Sequence, residues 1–439
     1  AALGLVTALL FGLLPALQAS RTNVQSTLRE SGRANTAGAH RARLRQVMVI
    51  AQVALAVVLV AGAGLMLRSF ARLTNVDPGF TTDQVLTARL AAPTAFYADA
   101  ADVNAFYDRV LQEVRAINGV RHAGLVRVLP IDTEIGDSGV QVPGYVDSNG
   151  TSVAPADWQA ASDGYFEALG LRLAEGRFFE ATDRTDAEQV IIVNEAFVNA
   201  YLGGGSAIDR HVTFAFQQDV PAQRIVGVVR NARHNGITGD IKPTFYRPHQ
   251  QWAVSTGFAA RNMTLVVRSE GDPAALVPAV RTAIARVDAR LPISNVKTME
   301  DVMATALAQP RFTMLLLLVF SGLALALAII GIYGVVSYVV TQRRQELGIR
   351  VALGAQPLGL VWQTLRGALV QAAAGVSAGV LSAMLLTRAL QGLLYETSTT
   401  DPATYAAVCA LVLAATLGAS WIPARRAARA DPMTAIRLE

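Results

Sequence analysis

Uncharged stretches are the strongest pattern along this chain. Five segments carry no charged residue, and each is close to the roughly 20 residues that a membrane-spanning helix needs. Buried helices of soluble proteins rarely stay uncharged for so long, so the pattern predicts five transmembrane helices. The five segments are residues 1–20, 46–67, 312–342, 367–387 and 402–424.

The segment between the second and third uncharged stretches has the patterning of a soluble domain. Apolar residues at helical spacing from Val103 to Ile117 predict one amphipathic helix. Asp272 followed by Pro273 predicts the start of a second helix, because Asp is a favoured N-cap and Pro suits the first helical position. Short β-rich runs alternate with these helices, so an α+β domain is expected. The runs are residues 85–90, 124–129, 190–193, 211–216, 224–229 and 264–268.

The distribution of charge predicts an orientation in the membrane. Three short segments, residues 18–45, 341–357 and 425–439, carry an excess of arginine, whereas residues 71–311 hold 22 basic and 27 acidic residues. Short basic loops stay in the cytoplasm, while long domains cross the membrane regardless of charge. We therefore expect the C-terminus inside and the large domain outside. Topology explains the overall net charge of +5, and no nucleic-acid partner is expected.

The end of the sequence repeats its beginning at a fixed offset. Each copy follows a long uncharged stretch, so the simplest interpretation is two copies of one membrane unit. The sequence also opens within an apolar run, and we expect it to be part of a longer chain that contains the rest of the first copy. The matching positions are Pro15/Pro423, Ala16/Ala424, Ala19/Ala427, Arg21/Arg429 and Arg29/Arg437.

The sequence Gly375-Val-Ser377-Ala-Gly379 allows two interpretations. It matches the nucleophile elbow of serine hydrolases, which needs a strand-to-helix turn that exposes the serine. It also matches a small-xxx-small motif, which lets two helices approach closely in lipid. The motif lies within an uncharged stretch without a nearby His or acid, so Gly375 and Gly379 are predicted to pack helices. The hypothesis that the chain is a membrane enzyme is supported by this motif alone.

Nothing in the sequence predicts a metal or nucleotide site in this chain. The five histidines show no metal-ligand spacing, and no GxxxxGK[ST] phosphate loop is present. The single cysteine, Cys409, excludes a disulfide framework. We therefore predict no metal, no cofactor and no catalytic residue of its own.

A short charged segment, residues 342–355, lies between two predicted spans on the predicted cytoplasmic side. Its arginines and its acid suit a contact with a soluble partner, through which movement could reach the helices. The alternative is a loop whose charges only set topology. Its apolar positions have period two, which does not indicate a helix.

The order of these elements resembles the MacB/FtsX superfamily of ABC transporter permeases. That order is one span, a large external domain, and three spans with a charged R-R-x-E-x-G-x-R loop. The C-terminal pattern is similar to the duplicated permeases of acidobacteria. One departure is Asp209, where the family pattern has Gly in an Ile-Gly-Arg turn. The resembling residues are 164–170, 175–179, Asp183, 225–229, 272–273, 393–395, 401–402 and 423–432.

The resemblance implies a multi-pass α-helical membrane protein with a large α+β periplasmic domain of the MacB type. It would lie in the bacterial inner membrane. The implied domains are 1–20, the last transmembrane helix of a first FtsX-like repeat; 21–45, a basic cytoplasmic linker; 46–70, a transmembrane helix; 71–306, the MacB-like periplasmic core domain; and 307–439, an FtsX-like three-helix transmembrane domain with a cytoplasmic coupling loop, 342–357, and a cytoplasmic tail.

The resemblance also implies a function and its residues. The charged loop would dock on an ABC ATP-binding subunit that supplies ATP and Mg, and the permease would couple hydrolysis to periplasmic-side export or extraction of an amphipathic substrate by mechanotransmission. The alternative is an FtsX-like mechanical regulator or scaffold that acts on a periplasmic protein partner. The implied coupling residues are Arg343, Arg344, Glu346, Gly348 and Arg350.

Overall fold

The chain divides into two compact units. The β domain comprises residues 68–313. The helical unit comprises the described residues before 68 and after 313. The computed structural model describes residues 35–214, 220–291, 293–342 and 356–428.

The described residues form nine α-helices, eleven strands and three short 3₁₀ turns. The helices are α1 (Asn35–Thr74), α2 (Ala100–Arg115), α3 (Tyr165–Leu169), α4 (Glu195–Tyr201), α5 (Trp252–Thr256), α6 (Val277–Val287), α7 (Met299–Gln342), α8 (Pro357–Leu386) and α9 (Pro402–Ala428). The strands are β1 (Val85–Ala91), β2 (Val120–Val126), β3 (Asp137–Gln141), β4 (Val153–Ala161), β5 (Leu173–Gly176), β6 (Val190–Asn194), β7 (His211–Phe214), β8 (Gln223–Val229), β9 (Thr244–Pro248), β10 (Asn262–Ser269) and β11 (Ser294–Thr298).

The strands of the β domain form one mixed sheet. Their order is β11-β1-β10-β2-β4-β3-β7-β8-β6-β9, with β5 beside β8. Only β4 with β9 and β6 with β8 pair in parallel. One apolar core lies under α2 and α6 on the half that contains β1 and β10, and a second lies on the half that contains β6 and β8. The domain is therefore α+β, as predicted, with two cores on one sheet.

The predicted helical stripe forms the buried face of α2. Val103, Phe106, Val110 and Val114 are all buried there, and the apolar spacing accounts for this because residues three and four apart share one face. Asp272 caps the second predicted helix by accepting a hydrogen bond from the Ala274 amide at 2.9 Å. The first turn after it is a 3₁₀ turn, and α6 follows.

Four helices of the described part of the chain are long and apolar enough to cross a membrane. They coincide with the second to fifth uncharged stretches of the sequence. The first predicted span, residues 1–20, lies outside the described residues. The apolar segments are Arg43–Thr74, Met299–Gln342, Val361–Ala389 and Pro402–Arg426.

Asp209 adopts the backbone conformation that a glycine favours. Its φ is +63°, and its amide donates a hydrogen bond to the Ile225 carbonyl oxygen at 3.0 Å. Its carboxylate accepts a hydrogen bond from Arg224 at 2.9 Å. Asp is one of the few residues that enter the left-handed region at modest cost. The departure from the family pattern thus leaves a left-handed turn at this position.

Candidate functional site

Helix α1 packs against the other three helices of the helical unit. The Ser321 hydroxyl of α7 donates a hydrogen bond to the Leu59 carbonyl oxygen at 2.7 Å. Gly64 lies so close to α9 that a Cβ on it would be 2.9 Å from Thr404 Cγ2. The contacts of α1 with α8 involve the glycine motif. Helix α1 is therefore the shared packing partner of this unit.

The two glycines of the Gly-x-Ser-x-Gly motif lie against α1. A Cβ on Gly375 would be 2.7 Å from Val53 Cβ, and one on Gly379 would be 2.6 Å from Val57 Cβ. Ser377 is exposed in the middle of α8, which continues without a break from Pro357 to Leu386. A nucleophile elbow needs a strand-to-helix turn. The geometry therefore disfavours a catalytic serine and agrees with close helix packing.

Five exposed arginines gather at one end of the helical unit, and we call them the arginine cluster. The Arg45 guanidinium lies 4.2 Å from the centre of the Tyr338 ring, and Arg426 donates a hydrogen bond to the Tyr333 hydroxyl at 3.2 Å. Helices α1, α8 and α9 contain no Asp or Glu, and the two acidic residues of α7 lie in its first turn. The members of the cluster are Arg43, Arg45, Arg366, Arg425 and Arg426.

The predicted coupling residues lie outside the described residues, as does the C-terminal tail. The structure describes the chain on both sides of the loop: α7 ends at Gln342, and α8 begins at Pro357 after the extended residue Gln356. Proline is well suited to this first helical position because its missing amide would have no partner there. The undescribed positions are Arg343, Arg344, Glu346, Gly348 and Arg350.

The motif residues of the β domain hold its segments together. Arg177 forms two hydrogen bonds of 2.8 Å to the Asp183 carboxylate, which also accepts the Glu180 amide at 2.8 Å. This pairing raises the pKa of Arg177, chiefly through the hydrogen bond to Asp183. Phe166 is fully buried and stacks on Phe178 with ring centres 5.2 Å apart. We therefore assign these residues a structural role.

An open cavity of about 630 Å³ lies between α2 and the end of α6 in the β domain. Its wall combines aromatic rings with charged groups. Tyr97 donates a hydrogen bond to the Asp288 carboxylate at 2.9 Å, and the Arg290 guanidinium lies 4.2 Å from the centre of the Phe96 ring. Arg109, also in the wall, has no carboxylate within 4 Å among the described residues. Such a surface suits a polar or anionic group better than a purely apolar one.

A pair of carboxylates, one of them buried, lies where β3, β4 and the segment before β9 meet, and the sequence did not reveal it. Asp157 is 1% exposed and opposes Asp137 in the β3–β4 pairing. Asn235 donates a hydrogen bond to Asp157 at 2.6 Å, and the Lys242 amine lies 3.3 Å from Asp137. Burial, followed by the hydrogen bond with Asp137, raises the pKa of Asp157 to about 6. Nearby, burial lowers the pKa of His234 to about 4.

These two groups affect stability in opposite directions. Folded Asp157 keeps a proton that the unfolded chain releases near pH 3.8, so its contribution to the free energy of unfolding falls as pH rises to about 6. Between about pH 4 and pH 6.5, His234 is neutral in the folded chain but protonated in the unfolded chain. Its contribution to the free energy of unfolding therefore increases as the pH rises through this range. In the intact protein the two trends therefore oppose each other between about pH 4 and pH 6.

Replacing Asp157 by Asn should remove the Asp157 contribution, and the difference from the unsubstituted chain should then show how that contribution depends on pH. We expect the free energy of unfolding of Asp157→Asn, relative to the unsubstituted chain, to increase by about 2 kcal/mol between pH 4 and pH 7. Calorimetry of the full chain in detergent across this range measures the difference. Asp240→Asn, at an exposed position in the same segment, is the control. A difference between Asp157→Asn and the unsubstituted chain that stays constant with pH would contradict the assignment.

Among the described residues, no group of three or more His, Cys, Asp or Glu side chains could hold a metal ion.

Two family models match the chain, one for each kind of unit. The model described as "FtsX-like permease C-terminal" matches residues 318–432, which include α8 and α9. The model described as "MacB-like periplasmic core domain" matches residues 47–283, more than half of the chain. The chain therefore belongs to the MacB/FtsX superfamily of ABC transporter permeases, as its resemblance predicted. Members of these families are inner-membrane permeases with a periplasmic domain.

Similar proteins include permeases from several bacteria. The chain is 25% identical over 297 residues to "Macrolide export ATP-binding/permease protein MacB 1/2" of Paracoccus denitrificans, covering 66% of this chain and 43% of that protein. It is 26% identical over 301 residues to "Uncharacterized ABC transporter permease YvrN" of Bacillus subtilis, covering 66% and 72%. The chain thus spans less than half the length of the MacB relative.

Among solved structures, the periplasmic region of MacB from Actinobacillus actinomycetemcomitans is 12% identical, with a TM-score of 0.36. The match covers 53% of this chain and 97% of that one. Family membership follows from the two family models.

Proposed function

We propose that this chain is the membrane permease of a MacB/FtsX-type ABC transporter. It would couple ATP hydrolysis by a separate ATPase to periplasmic-side export or extraction of an amphipathic substrate by mechanotransmission. The observation that carries the proposal is the presence of both matches in one chain, a MacB-like core at residues 47–283 and an FtsX-like segment at 318–432. A relative whose name includes both "ATP-binding" and "permease" supports an ATP-binding partner.

The coupling loop is proposed to dock on this ATP-binding subunit, which would hold ATP and Mg. Arg343, Arg344, Glu346, Gly348 and Arg350 would make the contact. Two observations support this. The loop joins the ends of α7 and α8, and the arginine cluster lies at that end of the helical unit. An excess of arginine favours the cytoplasmic side. The C-terminus would be cytoplasmic, and a first permease repeat would belong to the same full-length chain.

Reversing charge within the loop tests the docking. In the full-length protein, Arg344→Glu combined with Glu346→Arg should reduce permease-dependent ATP hydrolysis by the co-purified subunit at least tenfold. The physical reason is that each reversed charge would then face a like charge on a partner surface that complements the original charge pattern. The measurement is ATPase activity of the complex purified in mild detergent after reconstitution into lipid.

Arg388→Glu is the matched control, because this arginine lies just after α8 at the end opposite the loop. Its complex should keep its activity. Unaltered hydrolysis in the double variant, with the subunit still bound, would rule out docking through these residues. Failure to recover any ATP-binding subunit with the full-length protein would contradict the transporter proposal itself.

A mechanical regulator acting on a periplasmic protein partner is a second candidate. The polar, arginine-lined cavity favours it, because Arg and aromatic residues are enriched in protein interfaces, whereas small-molecule pockets are mostly apolar. An ATP-driven transfer assay in reconstituted membranes separates the two candidates. Hydrolysis that moves no amphipathic compound, but that alters the activity of a bound periplasmic protein, would favour the regulator.

A further inference from the structure

Helix contacts determine which residues of the helical unit lie at the same depth along its axis. Gly375 meets Val53, and Gly379 meets Val57, so α8 and α1 run in the same direction with a constant offset. Counting back along both helices from this contact places Arg366 level with residue 44, between Arg43 and Arg45 of α1.

The arginines of helix α9 can be placed in depth in the same way. Val361 and Leu365 of α8 pack with Ala424 in one apolar cluster. Arg425 and Arg426 follow Ala424 directly, so they too lie near Arg366 in depth. One helical turn rises about 5.4 Å. The arginine cluster therefore forms a belt roughly one turn deep, contributed by three helices whose arginines are far apart in sequence.

The belt lies within the apolar segments themselves. Arg366 belongs to the candidate span Val361–Ala389, and Arg425 and Arg426 close the span Pro402–Arg426. Exposed tryptophans flank it: Trp362 is 62% exposed and Trp421 is 49% exposed. Tryptophan concentrates at the boundary between hydrocarbon and headgroups. The belt is thus at headgroup level, where an arginine must find an anion or water.

Among the described residues, the belt has no acidic partner. None of its five arginines forms an ion pair within 4 Å with a described residue, and three of the four helices have no carboxylate at all. Arg45 and Arg426 contact tyrosines instead. Such contacts orient a guanidinium and leave its charge uncompensated. The belt is therefore charge-complementary to anions at membrane level.

We propose that the arginine cluster binds the headgroup phosphates of anionic phospholipids in the cytoplasmic leaflet. Guanidinium groups hold phosphate through paired hydrogen bonds, and basic sites between helices on this side suit anionic headgroups. A soluble partner reaches the loops, whereas Arg366 lies inside an apolar span beside exposed tryptophans. This placement favours lipid over an acidic protein surface. The choice of leaflet rests on the proposed cytoplasmic C-terminus, and the inference does not depend on ATPase docking.

Brominated lipids test the proposal directly, because bromine quenches tryptophan fluorescence only at short range. The full chain, without an ATPase, is reconstituted in phosphatidylcholine containing brominated phosphatidylglycerol or brominated phosphatidylcholine. Trp362 and Trp421 report the lipid beside the belt. Trp158 and Trp252 lie in the β domain, where they supply an unquenched background. We expect preferential quenching by phosphatidylglycerol, weakened by added salt.

Substituting the arginines measures their contribution. Each of Arg366→Gln and Arg426→Gln should lower the preference for phosphatidylglycerol about fivefold, and Arg366→Lys should restore part of it. Arg388→Gln, at the opposite end of the same span, is the matched control. Equal quenching by the two lipids, or an unchanged preference in both Gln variants, would overturn the proposal. Loss of the phosphatidylglycerol preference on adding inorganic phosphate at constant ionic strength would also overturn the proposal, because it would show that the site binds a soluble anion.

Discussion

Gly379→Val is expected to separate α8 from α1 and to disrupt the helical unit. A Cβ at this position would lie 2.6 Å from Val57 Cβ and 2.9 Å from the Ala54 carbonyl oxygen. Neither neighbour can rotate away, because one is a β-branched carbon on a helix and the other is backbone. Overpacking in a close helix contact should cost about 3 kcal/mol or more. Loss of the monodisperse protein on heating in mild detergent measures the effect.

Gly367→Val on the same helix is the matched control. A Cβ on Gly367 meets nothing within 4 Å among the described residues, so it carries the same helix-propensity change without the collision. A compensating pair gives a second test: Gly379→Ala should be partly rescued by Val57→Ala, because contacting residues are energetically coupled. If Gly379→Val and Gly367→Val lose stability equally, the packing role of Gly379 is wrong.

Gly227→Ala should strongly destabilise the β domain. Gly227 of β8 pairs with Gly176 of β5, and the Arg177 amide donates a hydrogen bond to the Val226 carbonyl oxygen at 2.9 Å. A Cβ on Gly227 would overlap the Arg177 carbonyl oxygen, which is backbone and cannot move aside unless β5 shifts. We expect a loss of about 4 kcal/mol, since such steric changes lie at the severe end of point substitutions.

For a domain of this size, that loss corresponds to a melting temperature lower by roughly 10 °C. Fluorescence of the stacked pair Trp158 and Trp252 follows the unfolding. Gly271→Ala is the control, because a Cβ on Gly271 meets nothing within 4 Å and its φ is not positive. A melting temperature for Gly227→Ala equal to that of the control would show that β5 can move without cost.

The membrane helices could be predicted because their signal is local. A run of uncharged residues is visible in the sequence whatever its neighbours are, and four of the five predicted stretches coincide with long apolar helices. Helix α2 was equally accessible, since Val103 to Val114 repeat at helical spacing and are buried. Each of the six predicted β-rich runs overlaps a strand, because this signal is local too: the strands are β1, β2, β6, β7, β8 and β10.

Five strands were missed, for physical reasons. β4 contains Pro155, which usually argues against a strand, yet its pairing with β3 tolerates this residue. β5 is short and fully exposed, so it has no apolar alternation. β9 pairs in parallel with β4, bringing Asp157 beside Thr244 from a distant part of the chain. The remaining two, β3 and β11, are short and partly exposed.

The candidate functional regions also have some features that are visible in the sequence and others that depend on tertiary contacts. The charged loop, the glycine motif and the arginine-rich segments could be located from residue types alone. Their contacts could not. Nothing in the sequence indicates that Gly375 contacts Val53, or that Arg366 lies at the depth of Arg43 and Arg45. The burial of Asp157 and His234 was equally hidden, because residue type does not predict that either side chain is buried and only the surrounding strands bury them.

The sequence by itself determined the long apolar helices of the described residues, the α+β character of the large domain and the family, because these depend on composition and spacing within short windows. Only the tertiary structure decided which glycine meets which valine, which arginines share one depth, and which carboxylate is buried. These properties arise from contacts between residues far apart in the chain, and their geometry is established only when the helices and strands pack.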